Sequence, residues 1–94
     1  METLLAMLKI DLGLTVDAYD ARLTQVLTSA KSAIMKAGAT TLDVSDPLDA
    51  QLVVMYASWL WRGRDEMPAM PRSLQYALHN RVFGEKMRTG GAEA

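Results

Sequence analysis

A chain of 94 residues, 50 % apolar and 22 % charged with a formal net charge of −1, has the make-up of one small globular domain. That balance excludes a disordered chain and the broad basic field of a nucleic-acid-coating protein. With no cysteine, disulfides and thiolate zinc sites are excluded as well, and a reducing compartment fits.

Hydrophobic periodicity predicts four helices and no strand, an all-α domain around a buried central helix. The first spans about Thr3 to Leu12, with Leu4, Leu5, Leu8 and Leu12 on one face and Gly13 as its stop. The second spans about Asp17 to Ala37. Tyr19, Leu23, Val26, Leu27, Ala30, Ile34 and Ala37 form its core stripe. Asp17 is the expected N-cap, Asp20 adds a second negative charge in the first turn, and Gly38 ends the helix. Residues 39–45 (ATTLDVS) read as a linker.

Asp46-Pro47-Leu48-Asp49 is a start signal, with a cap, proline at the first helical position and an acid at the third. The helix that follows, Leu48 to Arg62, is apolar almost all the way round. Gln51, Met55, Ser58 and Arg62 share a narrow arc, and Leu52, Val53, Val54, Tyr56, Ala57, Trp59, Leu60 and Trp61 cover the rest. Such a helix is wrapped by protein or lipid. It is too short and too polar for a membrane span, which needs about 20 apolar residues. A jacket of the chain's own helices and of other subunits is therefore expected, in a soluble protein of the cytoplasm.

Gly63 is the expected stop, and residues 64–70 (RDEMPAM) read as a loop. Pro71 opens a fourth helix to about Phe83, with Gly84 after it. Leu74, Ala77, Leu78 and Val82 make its core face. The division expected is a helical domain over residues 1–84 and a flexible tail over 85–94. No positively charged leader is evident in Met1-Glu2-Thr3.

Catalytic constellations do not assemble. His79 is the only histidine and reads as a surface or interface residue. No Gly-x-Ser-x-Gly elbow or glycine-rich phosphate loop is present. Asp17 and Asp20 read as cap and dipole partners, and Asp43, Asp46 and Asp49 as capping and solvated acids. No enzyme, metal or cofactor is expected.

Three features point to binding. Trp59 and Trp61 are two positions apart, so their directions diverge by about 200°. One reads as core and the other as reaching another subunit, or both as core. Arg72, Tyr76, His79 and Phe83 form a stripe opposite the core face of the fourth helix, the pattern of an intersubunit or partner contact. Arg62, Arg64, Arg72, Arg81, Lys86 and Arg88 outnumber Asp65, Glu66 and Glu85 in that stretch. They read as a solvated surface with local ion pairs, or as a surface near DNA or an acidic partner.

The succession as a whole carries a resemblance. A leucine-rich first helix leads through Lys9-Ile10-Asp11-Leu12 to an alanine-studded second helix that begins DAYDARLTQVLTSA. Asp46-Pro47-Leu48 then opens an apolar helix ending Tyr56-Ala57-Ser58-Trp59-Leu60-Trp61-Arg62-Gly63-Arg64. Met70-Pro71-Arg72-Ser73-Leu74 and Asn80-Arg81-Val82-Phe83 bound the last. From about Leu4 to Lys86 the chain resembles the small head–tail connector (adaptor) proteins of tailed bacteriophages and prophages.

The resemblance implies a non-enzymatic subunit at the virion's head–tail junction, assembled in the host cytoplasm. It implies a ring of about twelve copies, a heterologous assembly beneath the portal protein. Such a ring extends the DNA channel and docks a head-completion or tail protein. In it Trp59 and Trp61 pack the central helix, with Arg62 and Arg64 at its end. Pro71, Leu74, Leu78 and Arg81 hold the closing helix, and residues 86–94 dock on the portal. A small DNA-binding regulator, with Pro71 to Arg81 as recognition helix, is the alternative. The short turn of a helix-turn-helix is missing from it.

Overall fold

The computed structural model describes the backbone of residues 2–63 and 69–93, and side chains as far as Met87. Four helices follow in order: α1 (Glu2–Leu12), α2 (Asp20–Ala37), α3 (Pro47–Arg62) and α4 (Arg72–Glu93). There is no strand among the described residues. The fold is all-α, as the periodicity implies.

Sequence chemistry sets most of the boundaries. Gly13 adopts φ 73° and closes α1 with two bonds: its own N–H donates to the Ile10 carbonyl and that of Leu14 to the Lys9 carbonyl. Gly38, at φ 133°, repeats this at the end of α2, where the N–H groups of Gly38 and Ala39 donate to Met35 and Ile34. Both are glycine-closed helix ends of the Schellman type. At the start of α3 the Leu48 N–H donates to Asp46 Oδ1 at 2.9 Å, and Pro47 sits where its missing donor costs nothing.

Two boundaries depart from expectation. The helix α2 begins at Asp20, and Tyr19 before it offers no side-chain cap. Asp17 is not the N-cap. Its carboxylate accepts from Lys9 Nζ at 2.9 Å, and Asp20 Oδ1 lies at the same distance from that ammonium. The two acids hold one lysine, which ties α1 to the start of α2. Helix α4 does not stop at Gly84 but runs through it to Glu93. A glycine inside a helix costs only about 1 kcal/mol, so the residues beyond it can carry the helix on.

The core is one cluster. Leu4 and Leu8 of α1, Leu23, Leu27, Ala30 and Ile34 of α2, and Leu52, Val53, Val54 and Ala57 of α3 lie at its centre. Leu74 joins from α4, and Ala77, Leu78 and Val82 pack around it. The 39–45 segment is more than a linker: Ala39 and Leu42 are buried in the same cluster. Most of α3 is covered by the chain's own helices. Its apolar residues from Ala50 to Trp61 are buried or half-buried, and only Leu48, at 77 % exposure, stands out into solvent. The predicted polar arc divides, with Gln51 and Arg62 exposed, Met55 half-buried and Ser58 buried. The apolar surface of α3 therefore needs no second subunit to hide it.

Candidate functional site

A mostly buried network of ion pairs and hydrogen bonds fixes α4. Arg81 Nε donates to Asp49 Oδ1 at 2.8 Å, and Nη2 reaches Asp49 Oδ2 at 3.4 Å and Thr41 Oγ1 at 3.1 Å. Arg81 Nη1 lies 3.5 Å from Glu85 Oε1, one turn further along the helix. That same oxygen accepts from the Thr41 N–H at 2.8 Å and the Thr41 hydroxyl at 2.7 Å. Asp49 Oδ2 also accepts from the Asp43 N–H at 3.0 Å. One guanidinium thus joins α4, the first turn of α3 and the 41–43 turn. The Arg81, Asp49 and Glu85 side chains are 17 %, 7 % and 9 % exposed. Hydrogen bonding to Asp49 raises the Arg81 pKa further above its ordinary value, so the cation is permanent.

This network corrects three sequence readings. Arg81 does not belong to a basic surface; it is turned inward onto two carboxylates. Asp49 is not a solvated helix-start acid, and Glu85 is not part of a loose tail. Elsewhere in the acidic run expectation holds: Asp46 caps α3, and Asp43 accepts from the N–H and hydroxyl of Ser45.

Fixing α4 in this way determines what its opposite face presents. Arg72, Tyr76, His79 and Phe83 are all exposed, with Tyr76 at 60 % and Phe83 at 63 %. Asn80 and Met87, which sequence reasoning did not single out, are exposed on the same face. Shallow grooves run along both flanks of this ridge. One is lined by Leu48, Leu52, Met55 and Ala77, the other by Ala37, Leu78, Val82 and Lys86.

The tryptophans do not divide into one core and one surface residue. Both are half-buried, and each meets a tyrosine edge-on. Trp59 lies 5.5 Å from Tyr56 and Trp61 lies 5.7 Å from Tyr19, centroid to centroid. The Tyr19–Trp61 pair bridges the start of α2 and the end of α3. Tyr19 is accordingly at the edge of the structure rather than within the core stripe.

Within the predicted basic cluster Arg81 is set apart by its inward contacts. Arg62 is exposed and donates to the Asp11 carbonyl at 3.3 Å, with the Asp11 carboxylate at 4.0 Å. Arg72 and Lys86 stay exposed on α4. Arg64 and the side chain of Arg88 lie outside the described residues. Among the described residues no group of three or more His, Cys, Asp or Glu is placed to hold a metal ion. No helix among them is long and apolar enough to cross a membrane.

No protein-family model, curated protein or solved structure matches the chain. No relative supports the labels that the resemblance attached, so viral, bacteriophage, head–tail connector, adaptor, virion assembly, DNA packaging, oligomeric ring and portal-binding are withdrawn as properties of this chain. What stands as a property of this chain is a small all-helical domain with an outward aromatic ridge on its last helix.

Proposed function

We propose that the chain is a structural docking subunit, one that works by presenting a surface rather than by catalysis. The role is that of a head–tail connector, the kind its sequence resembles: a ring beneath a portal that extends a DNA channel and receives a head-completion or tail protein. The observation that carries this reading is the α4 ridge. The protomer closes its own core, yet it leaves Tyr76, Phe83 and Met87 in water on one helix face. Exposed apolar side chains gathered on one helix face are a mark of interaction sites, where aromatic residues are enriched. Near-neutral net charge suits a channel that DNA must pass without sticking.

The regulator reading loses ground on the same residues. Arg72 and Arg81 are the only lysine or arginine residues from Pro71 to Arg81, and Arg81 faces inward. A recognition helix over this stretch would have a single strong cation for phosphates.

Electron microscopy of the purified protein, alone and mixed with a portal protein from the same genome, tests the proposal. Ring-shaped density seated on the portal is the expected result. Particles that never associate with the portal or with one another would overturn it.

A further inference from the structure

The exposed residues of α4 follow a heptad. Tyr76, Asn80, Phe83 and Met87 are spaced by four, three and four residues, the d-a-d-a order of a coiled-coil seam. On a helix of about 100° per residue these four lie within roughly 60°. All four are exposed, and Met87 is 62 % exposed. Arg72, His79 and Lys86 fall seven apart, at the g positions beside that seam, and all three are exposed. The e positions on the other flank are the small residues Ala77 and Gly84. The b, c and f positions carry the inward-facing Leu74, Leu78, Arg81, Val82 and Glu85, together with the exposed Gln75.

Resting on the docking role proposed above, we propose that α4 is one half of a heteromeric coiled coil. Its occupant is an amphipathic helix of a different protein, apolar along its seam and acidic along the flank that meets Arg72, His79 and Lys86. Residue g of one helix faces residue e of a parallel partner, so the cations Arg72 and Lys86 at g call for Asp or Glu opposite. The ridge has no such acid to offer itself. Between residues 72 and 87 the only carboxylate is Glu85, and it is buried against Thr41 and Arg81.

A second copy of α4 is therefore a poor occupant. Packed antiparallel it sets the cationic flank against itself; packed parallel it sets that flank against Ala77 and Gly84. Duplex DNA fits poorly too, because the crest of the ridge is apolar and the cations lie along one side only. Asn80 adds register. The a positions Ser73 and Asn80 are both polar, and a polar residue there is costly unless a partner polar group meets it, which favours one alignment over the slipped ones. Gly84, exposed at e, lets the incoming helix approach closely on that flank.

The test uses the full chain and two designed 21-residue helical peptides. They share one Leu/Ile seam with a single asparagine and carry either Glu or Lys at every e and g position. The Glu-rimmed peptide is expected to bind at least roughly tenfold tighter than the Lys-rimmed one, with binding weakened by salt. Phe83→Glu should abolish that binding, and Arg72→Glu with Lys86→Glu should reverse the preference. Equal binding of the two peptides, no binding of either, or binding that survives Phe83→Glu would overturn the inference. So would an α4-mediated homodimer in sedimentation that Phe83→Glu dissolves, or peptide displacement by a DNA duplex. A portal-bound ring in the microscope without peptide binding would reject this partner and keep the docking role. Peptide binding without any ring would do the opposite.

Discussion

Arg81 and Asp49 are 32 positions apart and meet through contacts of 2.8 and 3.4 Å that set the rotation of α4 on the body of the protein. Because the guanidinium faces inward at this point, Tyr76 and Phe83 face outward. Breaking a mostly buried pair from one side strands the other charge. Arg81→Ala or Asp49→Ala should cost about 3 kcal/mol, the lower end of the range because the guanidinium keeps some water contact. Urea denaturation is the check. Arg81→Met with Asp49→Leu should cost clearly less than the two single changes added together, and strict additivity would show that the pair is not coupled.

The two glycines that bracket α4's packing should respond in opposite directions to alanine. Gly38 has φ 133°, and a Cβ there would lie 2.8 Å from Val82 Cγ1. Gly38→Ala should therefore destabilise by more than about 1 kcal/mol. Gly84 is inside a helix with open space around its Cα, so Gly84→Ala should stabilise by about 0.5–1 kcal/mol. Thermal melts of both variants decide the matter. A stabilised Gly38→Ala would mean that the turn into the 39–45 segment is misassigned.

Acid should loosen the contact between α1 and α2. Lys9 holds the Asp17 carboxyl below its ordinary pKa, and Ser45 does the same for Asp43. A depressed carboxyl contributes stability that is fully present above its unfolded pKa, about 3.9, and is lost as pH falls through its lower folded value. Hydrogen bonds that Lys9 donates to Asp17 and Asp20 raise its pKa, so its contribution is fully present below the unfolded value of about 10.4 and is lost as pH rises from there through the higher folded value. Urea midpoints should be level from about pH 5 to 9 and fall below about pH 4. Asp17→Asn with Asp43→Asn should soften that fall; an unaltered acid limb would contradict the assignment.

Phe83 and Trp61, both candidates for an interface from sequence, should now behave differently. Phe83 is largely in water, so Phe83→Glu should change stability by no more than about 0.5 kcal/mol. Trp61 is half-buried against Tyr19, so Trp61→Glu should lower the melting temperature and expose Tyr19. Circular dichroism melts of the two variants separate a surface residue from a packing one.

How much of this was legible beforehand follows from which forces act locally. The leucine faces of α1 and α2, the Asp46-Pro47 start and the glycine stops at 13 and 38 depend on residues within a turn or two of each other, and periodicity and capping chemistry reveal them. The outward stripe of α4 was visible for the same reason. The Arg81 cluster was not, because Asp49 and Arg81 find each other only after α3 and α4 pack; the nearest clue was the four-residue spacing of Arg81 and Glu85. Gly84 misled because a glycine ends a helix only where the chain turns left-handed, and here Glu85 is anchored to Thr41 beyond it. Asp17 misled because a nearby lysine outcompeted the backbone donors for its carboxylate.

Sedimentation velocity of the wild-type chain and of Phe83→Glu, each with and without the portal protein, bears most directly on the claim that the outer face of α4 is the working surface. The wild type should shift into a large complex, while the variant stays a helical monomer of unchanged melting temperature. Equal incorporation of both proteins, or a wild type that sediments alone in every mixture, would contradict the account.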